Sequence, residues 1–506
     1  MQRRQSIAGS PSRYANAPSI RSAYRRRACN INPAEPSITR HKPNPNLAPK
    51  KTGESPLPHA VSSNQEIAPP PGQELRRQLG LGSAAAAVAG EAIAVGIFLT
   101  PADMAKSLGS PFWLLVVWLA VGAMSLSGAL CFGELAGRFP SAGGAYVYLR
   151  ESFGPRLAFL YGWMSLLVLD PGLTAAFATG LAAYAGYIFH WSPTAVKFAA
   201  IAAIWIVCIL NILSTRISAG FLRWITWLKF AVLVTLTIWA LAFRLGSWKN
   251  FVPFVAPHPG ALPLLPALGA ATVGAFFCFS GWWDATKISG EVRDPGRNLP
   301  RALAFGVIAV TVVYVAISAI FIYLVPIEKV GSSATFVAQA GEVLFGPAGG
   351  IVFAAIVVVC VGGSLMAFMI SAPRVYFAMA ADGLFLKSVA HVHSRFGTPA
   401  RAVLVQGIVA TILAALGSFD QIIAYFFFVT VLFLGITVAG LFVIRRRPEQ
   451  SASTILAPGY PATPLAFLIL VVVMLVLLAV RSPREAILGC AVVVAGWPVY
   501  SWIRKR

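Results

Sequence analysis

The stretch GEAIAVGIF, residues 90–98, lies in an apolar run that is long enough to cross a lipid bilayer. It holds two glycines, Gly90 and Gly96, and one acid, Glu91. A glycine weakens a helix by about 1 kcal/mol relative to alanine, and an acid inside a membrane usually faces a cavity or a pathway. The stretch therefore predicts a transmembrane helix that is interrupted near its middle.

A second stretch of this kind, FCFSGWWD at residues 277–284, lies in the sixth apolar run of the chain. The first ten runs divide into two sets of five, and each stretch lies in the first run of its set. Interrupted helices at matching positions of two halves indicate a transporter site built from inverted repeats. The alternative is that small residues at both places only allow close packing of helices.

Twelve apolar runs in succession predict an all-α integral membrane protein. Of the 506 residues, 57% are hydrophobic and 11% are charged, and the mean hydropathy is +0.73, whereas a soluble domain has about 25% charged residues. Alternation with a period of two is absent and the runs are too long for barrel strands, which favours helices. The predicted spans 1 to 12 are residues 80–102, 111–135, 157–188, 198–215, 224–243, 262–288, 302–325, 349–373, 402–419, 421–444, 463–480 and 486–503.

The positive charge of the chain predicts its orientation in the membrane. The 40 Lys and Arg exceed the 18 Asp and Glu by 22, and in so apolar a chain this excess indicates topology rather than nucleic-acid binding. With the N-terminus inside, the inner side holds 32 basic residues and the outer side seven, or 21 against seven without residues 1–60. We predict a multi-pass protein of the cell membrane with both termini cytoplasmic.

Composition also divides the chain into segments. Residues 1–73 are rich in Arg, Ser, Pro and Asn and predict a disordered basic tail. Residues 74–444 form the predicted ten-helix core, and residues 445–506 hold spans 11 and 12 with a short basic C-terminus. Two other interpretations of the tail stay open: an organelle transit peptide, and a translation start near Val61, which N-terminal sequencing would test.

Motifs for enzymatic or metal chemistry are lacking in the sequence. The six histidines form no HExxH pattern and the six cysteines form no CxxC pair. We therefore predict no metal, no cofactor and no enzymatic activity.

Four motifs in order carry a resemblance to a known family. They are GEAIAVGIFLTP (90–101), GELAGRFPSAGGAYVYLRESFGP (133–155), FSGWWDATKISGEVRDPGRNLPRA (279–302) and SAPRVYFAMAADGLF (371–385). The chain resembles the amino acid-polyamine-organocation superfamily, and within it bacterial relatives of the L-type amino acid transporters. The resemblance implies ten helices in a 5+5 inverted repeat with broken spans 1 and 6, two added helices, and secondary active transport of amino acids by alternating access.

The resemblance also implies a substrate site at the two breaks, where backbone N–H groups of span 1 hold a carboxylate. The implied substrate-binding residues are Ala94, Val95, Gly96, Ile97, Phe277, Ser280, Gly281 and Trp282. Phe277 falls on the aromatic residue that gates the pocket in the family, while Trp282 adds cation–π capacity or simply packs. The family usually has Gly-Ser-Gly where this chain has Ala94-Val95-Gly96, so a hydroxyl hydrogen bond worth about 0.5–1.5 kcal/mol is missing.

Two ionisable residues inside the predicted spans are candidates for coupling. Lys229 resembles a lysine of span 5 whose ammonium takes the place of a sodium ion, which implies sodium independence with proton coupling or exchange. The alternative is that Lys229 reaches toward the membrane surface or only ties helices together. Glu91 has no counterpart in the family motif: it would carry a proton, pair with Lys229, attract an amino group, or serve as a structural acid.

Charged residues of the predicted cytoplasmic loops favour gating. The gating candidates are Glu134, Glu291, Arg293 and Arg297, and the alternative is a set of solvated helix ends. Asp170 either lines the pathway or marks a helix break, and Asp284 and Lys287 are spaced for an ion pair.

The predicted partners are a small-molecule substrate, an amino acid, and the lipid bilayer. No disulfide-linked heavy subunit is expected, because the outer loop at residues 187–193 has no cysteine. Two other functions stay open, which are transport of polyamines or other organic amines and a non-transporting sensor on the same fold. The oligomeric state is not predicted.

Overall fold

The fold is seen in a computed structural model, and its regular elements within the described residues are all helical. An isolated bridge joins Leu79 to Val292. The structure describes residues 77, 79–94, 96–213, 215–327, 336–391, 393, 398–416, 419–447 and 455–505. The predicted tail at 1–73 and the candidate Val95 lie outside these residues.

Sixteen α-helices are found in the described part of the chain, with shorter helical turns between some of them. The α-helices are α1 (Leu81–Ala92), α2 (Gly96–Leu108), α3 (Pro111–Arg138), α4 (Ala145–Phe153), α5 (Pro155–Met164), α6 (Asp170–Phe189), α7 (Pro193–Leu213), α8 (Thr215–Ala242), α9 (Leu264–Phe279), α10 (Pro295–Leu324), α11 (Phe336–Ser371), α12 (Pro373–Ala381), α13 (Ala400–Leu416), α14 (Phe419–Arg445), α15 (Ala462–Arg481) and α16 (Pro483–Lys505). A π-helix covers Ser165–Leu169, and 3₁₀ helices cover Trp248–Phe251, Asp284–Glu291 and Lys387–Ala390.

Most of these helices have the length and composition of membrane spans. Among the described residues, ten helical stretches are long and apolar enough to cross a bilayer, and some of them, such as Pro155–Phe189, join two of the helices given above. The bent pair α1 and α2 makes an eleventh candidate. The apolar helix α13 is shorter, at 17 residues. The prediction of an all-α protein with many membrane-spanning helices is confirmed.

The outward faces of the peripheral helices are apolar. Phe198 on α7, Trp227 on α8 and Ile469 on α15 each expose more than half of their surface. Large contiguous apolar patches are rare on soluble monomers. These faces are therefore suited to contact with lipid chains, while the core lies among α1, α3, α6, α9, α10 and α11.

Both predicted interruptions are present. Helix α1 ends at Ala92 and α2 begins at Gly96, with an angle of 46° between them. Helix α9 ends at Phe279, and Gly281 follows with φ of +103°, a conformation that disfavours any residue with a side chain. A Cβ on Gly281 would lie 3.1 Å from the carbonyl carbon of Glu91, so the two breaks pack directly against each other.

A third irregularity lies in the predicted span 3. The π-helical turn at Ser165–Leu169 joins α5 to α6, which begins at Asp170 and continues through Pro171. Proline lacks the N–H that an α-helix needs, and π-helical turns inside helices are often found at functional sites. Asp170 thus marks a widened helical turn rather than a break in the helix.

Candidate functional site

The break after α1 frees carbonyl groups, and Lys229 of α8 binds them. Its ammonium donates to the carbonyl oxygens of Gly90 and Ile93, each at 2.9 Å, and to the hydroxyl of Ser364 on α11. An ammonium has three N–H donors, and these three acceptors satisfy all of them. Lys229 is fully buried, so it points to the break and not to a membrane surface.

Ser364 completes this arrangement from a third helix. Its hydroxyl oxygen lies 3.3 Å from each of the carbonyl oxygens of Gly90 and Ile93. A hydroxyl accepts and donates at once, so Ser364 can accept from Lys229 while donating to one carbonyl. The ammonium is bonded directly by dipoles of α1 and α11, and no carboxylate of the described residues lies within ion-pair distance of it.

Tyr314 of α10 joins the two breaks. Its hydroxyl lies 2.7 Å from the carbonyl oxygen of Ala92, at the end of α1, and 2.9 Å from that of Cys278, near the end of α9. The ring is buried, with its centre 5.1 Å from that of Trp118 and 5.2 Å from that of Phe279. One side chain therefore connects both broken spans.

The described members of the predicted substrate-binding set are buried around the two breaks. The N–H of Ala94 donates to the carbonyl of Ala92 at 2.8 Å, so it already has an acceptor. Gly96 and Ile97 open α2, where the first N–H groups of a helix have no intrahelical acceptor. A Cβ on Gly96 would lie 2.9 Å from the Cα of Cys278, which requires glycine at this contact.

The residues from the α9 break mostly pack against other side chains. Phe277 lies with its ring centre 5.8 Å from that of Phe427 on α14. The hydroxyl of Ser280 donates to the carbonyl of Phe277 at 2.6 Å, so it closes the end of α9. Trp282 meets the ring of Phe132 on α3 edge to face, with centres 5.2 Å apart, which agrees with the packing interpretation.

The chain that follows the α9 break contributes to a buried ion cluster, which consists of Asp170, Asp284 and Lys287. The ammonium of Lys287 is 2.6 Å from an Asp284 oxygen and 2.9 Å from an Asp170 oxygen. The hydroxyl of Tyr376 on α12 donates to the other Asp170 oxygen at 2.8 Å. The predicted pair of Asp284 and Lys287 is confirmed, and Asp170 joins it from a position 117 residues away in the chain.

Glu91 is a buried acid beside the α1 break, and its carboxylate interacts with the hydroxyl of Ser371. It is 4% exposed, and its Oε2 atom has no hydrogen-bond partner among the described residues. Asp284, Lys287 and Lys229 act on it electrostatically, but no ion pair within 4.0 Å links Glu91 to Lys229 in the described structure. The three buried carboxylates of Glu91, Asp170 and Asp284 thus stand against two buried ammonium groups, those of Lys287 and Lys229.

Glu134 belongs to a separate network at one end of the bundle. Its carboxylate is fully buried and pairs with Arg138 at 2.8 Å and with Arg445 of α14 at 2.5 and 2.9 Å. It also accepts from the backbone N–H of Ala457 at 2.8 Å. The network ties α3 to the end of α14 and to the segment before α15.

Glu291 lies in a different pair. It contacts Arg374 of α12 at 3.3 Å, and its carbonyl accepts from the N–H of Leu79. The N–H of Arg293 donates to the carbonyl of Leu79 at 2.8 Å. The side chains of Arg293 and Arg297 form no ion pair with an acid of the described ranges. The four gating candidates are therefore not one cluster.

Three hydrogen-bonding residues of this region were not among the sequence candidates. They are Tyr314, Ser364 and Tyr376. Each is a polar side chain in or next to an apolar predicted span, and the cost of burying such a group is the signal that would have marked it. Nothing in the sequence indicated which carbonyl or acid each one contacts.

The described residues include neither a metal site nor a disulfide. Within the part of the chain that is described, no three His, Cys, Asp or Glu side chains are grouped to hold a metal ion. Cys131, Cys208, Cys278 and Cys360 are buried and unpaired, and Cys490 is half-buried and unpaired. The expectation that no heavy subunit is attached by a disulfide stays a prediction.

Comparison with known proteins identifies the family. A family model described as amino acid permease matches residues 79–495. The b(0,+)-type amino acid transporter 1 of Oryctolagus cuniculus is 33% identical over 73% of this chain and 76% of its own. The serine/threonine exchanger SteT of Bacillus subtilis is 27% identical over 85% and 98%, and the human cystine/glutamate transporter is 26% identical over 85% and 86%.

The family match covers most of the chain, and the named relatives are all transporters of amino acids. This confirms the resemblance to the amino acid-polyamine-organocation superfamily, the prediction of transport and the prediction that the chain is not an enzyme. The chain belongs to the amino acid permease family and is a multi-pass membrane transporter of amino acids.

Proposed function

We propose that the protein moves amino acids across the cytoplasmic membrane by alternating access, independently of sodium. The observation that carries the proposal is the contact of the Lys229 ammonium with the carbonyls of Gly90 and Ile93. Carbonyl oxygens freed by a helix break are typical ligands of a coupling cation. A fixed ammonium supplies that charge permanently, so the site has no need of a sodium ion.

The fuller topology is part of the same proposal. Ten spanning helices, the bent pair and the shorter helix α13 together favour twelve spans, with the first ten in a 5+5 inverted repeat. The matched breaks near Gly96 and Gly281 support the repeat. The excess of basic residues in alternate loops supports cytoplasmic termini. We assign residues 74–444 to the transporter core, 445–506 to the two added helices, and 1–73 to a basic tail.

Substrate binding is proposed at the opening of α2. The N–H groups of Gly96 and Ile97, with that of Val95, would hold the substrate carboxylate, because a helix N-terminus favours an anion. Ala94 contributes its backbone less, because its N–H is already bonded to Ala92. Phe277, Ser280, Gly281 and Trp282 would form the opposite wall, and carbonyls at the end of α9 would receive the ammonium group.

Coupling is proposed to involve Glu91. A buried carboxylate is costly when charged, and here the Oε2 atom of Glu91 has no hydrogen-bond partner among the described residues and Asp284 acts on Glu91 as a like charge. Uptake of a proton by Glu91 would remove that cost. The relative named as an exchanger favours the other mode, in which one amino acid leaves as another enters.

Gating is proposed for contacts at the end of the bundle that holds Glu291. The pair with Arg374 and the backbone bonds of Leu79 hold the segment after α9 against the chain before α1. Arg293 and Arg297 add positive charge at this mouth. The Glu134 network would fix the neighbouring ends of α3 and α14.

Organic amines are a second candidate substrate class. Three buried acids, Glu91, Asp170 and Asp284, stand against two buried ammonium groups, those of Lys229 and Lys287, and the cation of a polyamine or other amine would balance the remaining acid. A sensor that binds amino acids without moving them is the remaining alternative.

Uptake by purified protein in proteoliposomes tests these assignments. We expect accumulation of labelled α-amino acids that is unchanged when sodium is replaced by choline. Dependence on amino acid inside the vesicles would indicate exchange, and dependence on an imposed pH gradient would indicate proton coupling. Loss of uptake without sodium would contradict the role of Lys229. Competition by amines but not by α-amino acids would favour the second class, and binding without accumulation would favour a sensor.

A further inference from the structure

A cleft between the start of α5 and the end of α16 lies apart from the transport site. It has a volume of about 350 Å³ and is lined by Arg156, Trp497, Tyr500, Ser501 and Arg504. Phe159 and Trp163 of α5 pack against α16 beneath it, and the Trp163 indole N–H donates to the carbonyl of Val492. The cleft is therefore a gap between two helices that are firmly packed at a deeper level.

The two arginines of the cleft lack acidic partners. No ion pair joins Arg156 or Arg504 to a carboxylate anywhere in the described ranges. The nearest acid along the chain, Glu151, is paired with Arg150 at 2.9 Å, and Asp382 is also bound by Arg150, at 2.6 Å. Both arginines are exposed, so an anion in the cleft would meet two positive charges that no carboxylate of the described residues neutralises.

The remaining lining suits a phosphate group at a membrane surface. Guanidinium groups bind phosphate through paired hydrogen bonds. Helix α5 begins at Pro155 after Gly154, which provides no side-chain cap, so the positive end of the helix is open beside Arg156. The Ser501 hydroxyl adds a further polar group, although it donates to the carbonyl of Trp497 in this structure.

The position of the cleft favours a lipid over a soluble anion. Trp497 exposes 55% of its surface on an apolar helix, and tryptophan is enriched where membranes meet water. Val494 and Trp502 of the same helix are also largely exposed, which provides an apolar face for acyl chains. Basic pockets between transmembrane helices on the cytoplasmic side bind anionic lipid headgroups, and the proposed cytoplasmic position of the C-terminus places this cleft on that side.

We propose that this cleft binds the headgroup of an anionic phospholipid, with its phosphate between Arg156 and Arg504. The acyl chains would lie along α16, past Trp497. This site is independent of the substrate and coupling residues, so transport by the proposed mechanism is not needed for it to exist.

Native mass spectrometry of the full-length protein in detergent tests the proposal. Phosphatidylglycerol and phosphatidylcholine with the same acyl chains are titrated, and the preference for the anionic lipid is measured. We expect a preference of about tenfold or more in the wild type, because each basic group near an anionic headgroup contributes severalfold. The variant R156Q/R504Q should lose it. The control R301Q/R447Q removes two exposed arginines elsewhere and should retain it.

Two outcomes would overturn the proposal. One is an undiminished preference for phosphatidylglycerol in R156Q/R504Q. The other is binding of inorganic phosphate that displaces the lipid, since the cleft would then be a site for a soluble anion. Should the double variant fail to give a monodisperse protein, R156Q and R504Q are measured singly, and each should lose part of the preference.

Discussion

Replacement of Lys229 by methionine tests the central contact of the site. Methionine keeps much of the length and apolar character of the side chain but has no N–H donor. In K229M the carbonyl oxygens of Gly90 and Ile93 and the Ser364 hydroxyl all lose the ammonium that bonds them in the wild type.

The loss of stability in K229M depends on how many of these acceptors stay without a donor. A buried acceptor left without a donor costs about 1–3 kcal/mol. The Ser364 hydroxyl lies 3.3 Å from both carbonyl oxygens and can turn to donate to one of them, so one carbonyl of α1 stays unpaired. We expect K229M to lose about 1–3 kcal/mol of stability, and K229M/S364A to lose about 2–6 kcal/mol because both carbonyls are then unpaired.

Thermal unfolding in detergent and uptake in proteoliposomes are the assays. The control is K249M, which removes an exposed lysine from the 3₁₀ helix Trp248–Phe251. K229M should unfold at a lower temperature than K249M and should lose uptake, since the charge that binds the freed carbonyls of the α1 break is then missing. If K229M matched K249M in stability and kept sodium-independent uptake, the Lys229 ammonium would be needed neither for the α1 break nor for transport without sodium. If S364A added nothing to K229M, the Ser364 hydroxyl would not satisfy a carbonyl of α1 in K229M.

Three further predictions concern the surrounding residues. Y314F removes the hydroxyl that joins the two breaks, and should cost about 1 kcal/mol in thermal unfolding and slow uptake without changing substrate preference. K287M leaves Asp170 and Asp284 buried without their cation and should cost about 3–5 kcal/mol, whereas the triple variant K287M/D170N/D284N, measured in the same unfolding assay, should recover part of this loss. E91Q should remove the response of uptake to an imposed pH gradient but leave exchange intact, and an unchanged pH response would exclude Glu91 as the proton carrier.

The sequence predicted the features that depend on local pattern. Apolar length indicated the spans, and glycine with an embedded acid indicated the breaks near Gly96 and Gly281, because both signals act within a single helix. The predicted span 8, residues 349–373, covers only the part of α11 that follows Gly346, and the helical stretch from Phe336 to that glycine was not predicted. The chain instead continues through a kink, in which Gly346 has φ of +70°.

Contacts between helices that are far apart in the sequence could not be predicted from the sequence. The pairing of Lys287 with Asp170, and of Glu134 with Arg445 over 311 residues, depends on which helices pack side by side. Tertiary packing also decides that Lys229 binds carbonyls and not Glu91. A single sequence gives the cost of burying a polar group but does not identify its partner.

The hydroxyl of Tyr314 has one proton to share between two acceptors, the carbonyls of Ala92 and Cys278. Whichever carbonyl accepts that proton, the other faces the hydroxyl oxygen with no proton between them, so separating the broken spans loses about one neutral hydrogen bond, or 0.5–1.5 kcal/mol. Tyr314 thus links the two broken spans weakly and leaves them able to move relative to each other. Separating the two breaks at Tyr314 costs little free energy. We therefore expect the barrier between outward-facing and inward-facing states to come from other contacts, such as the Lys287 ion cluster.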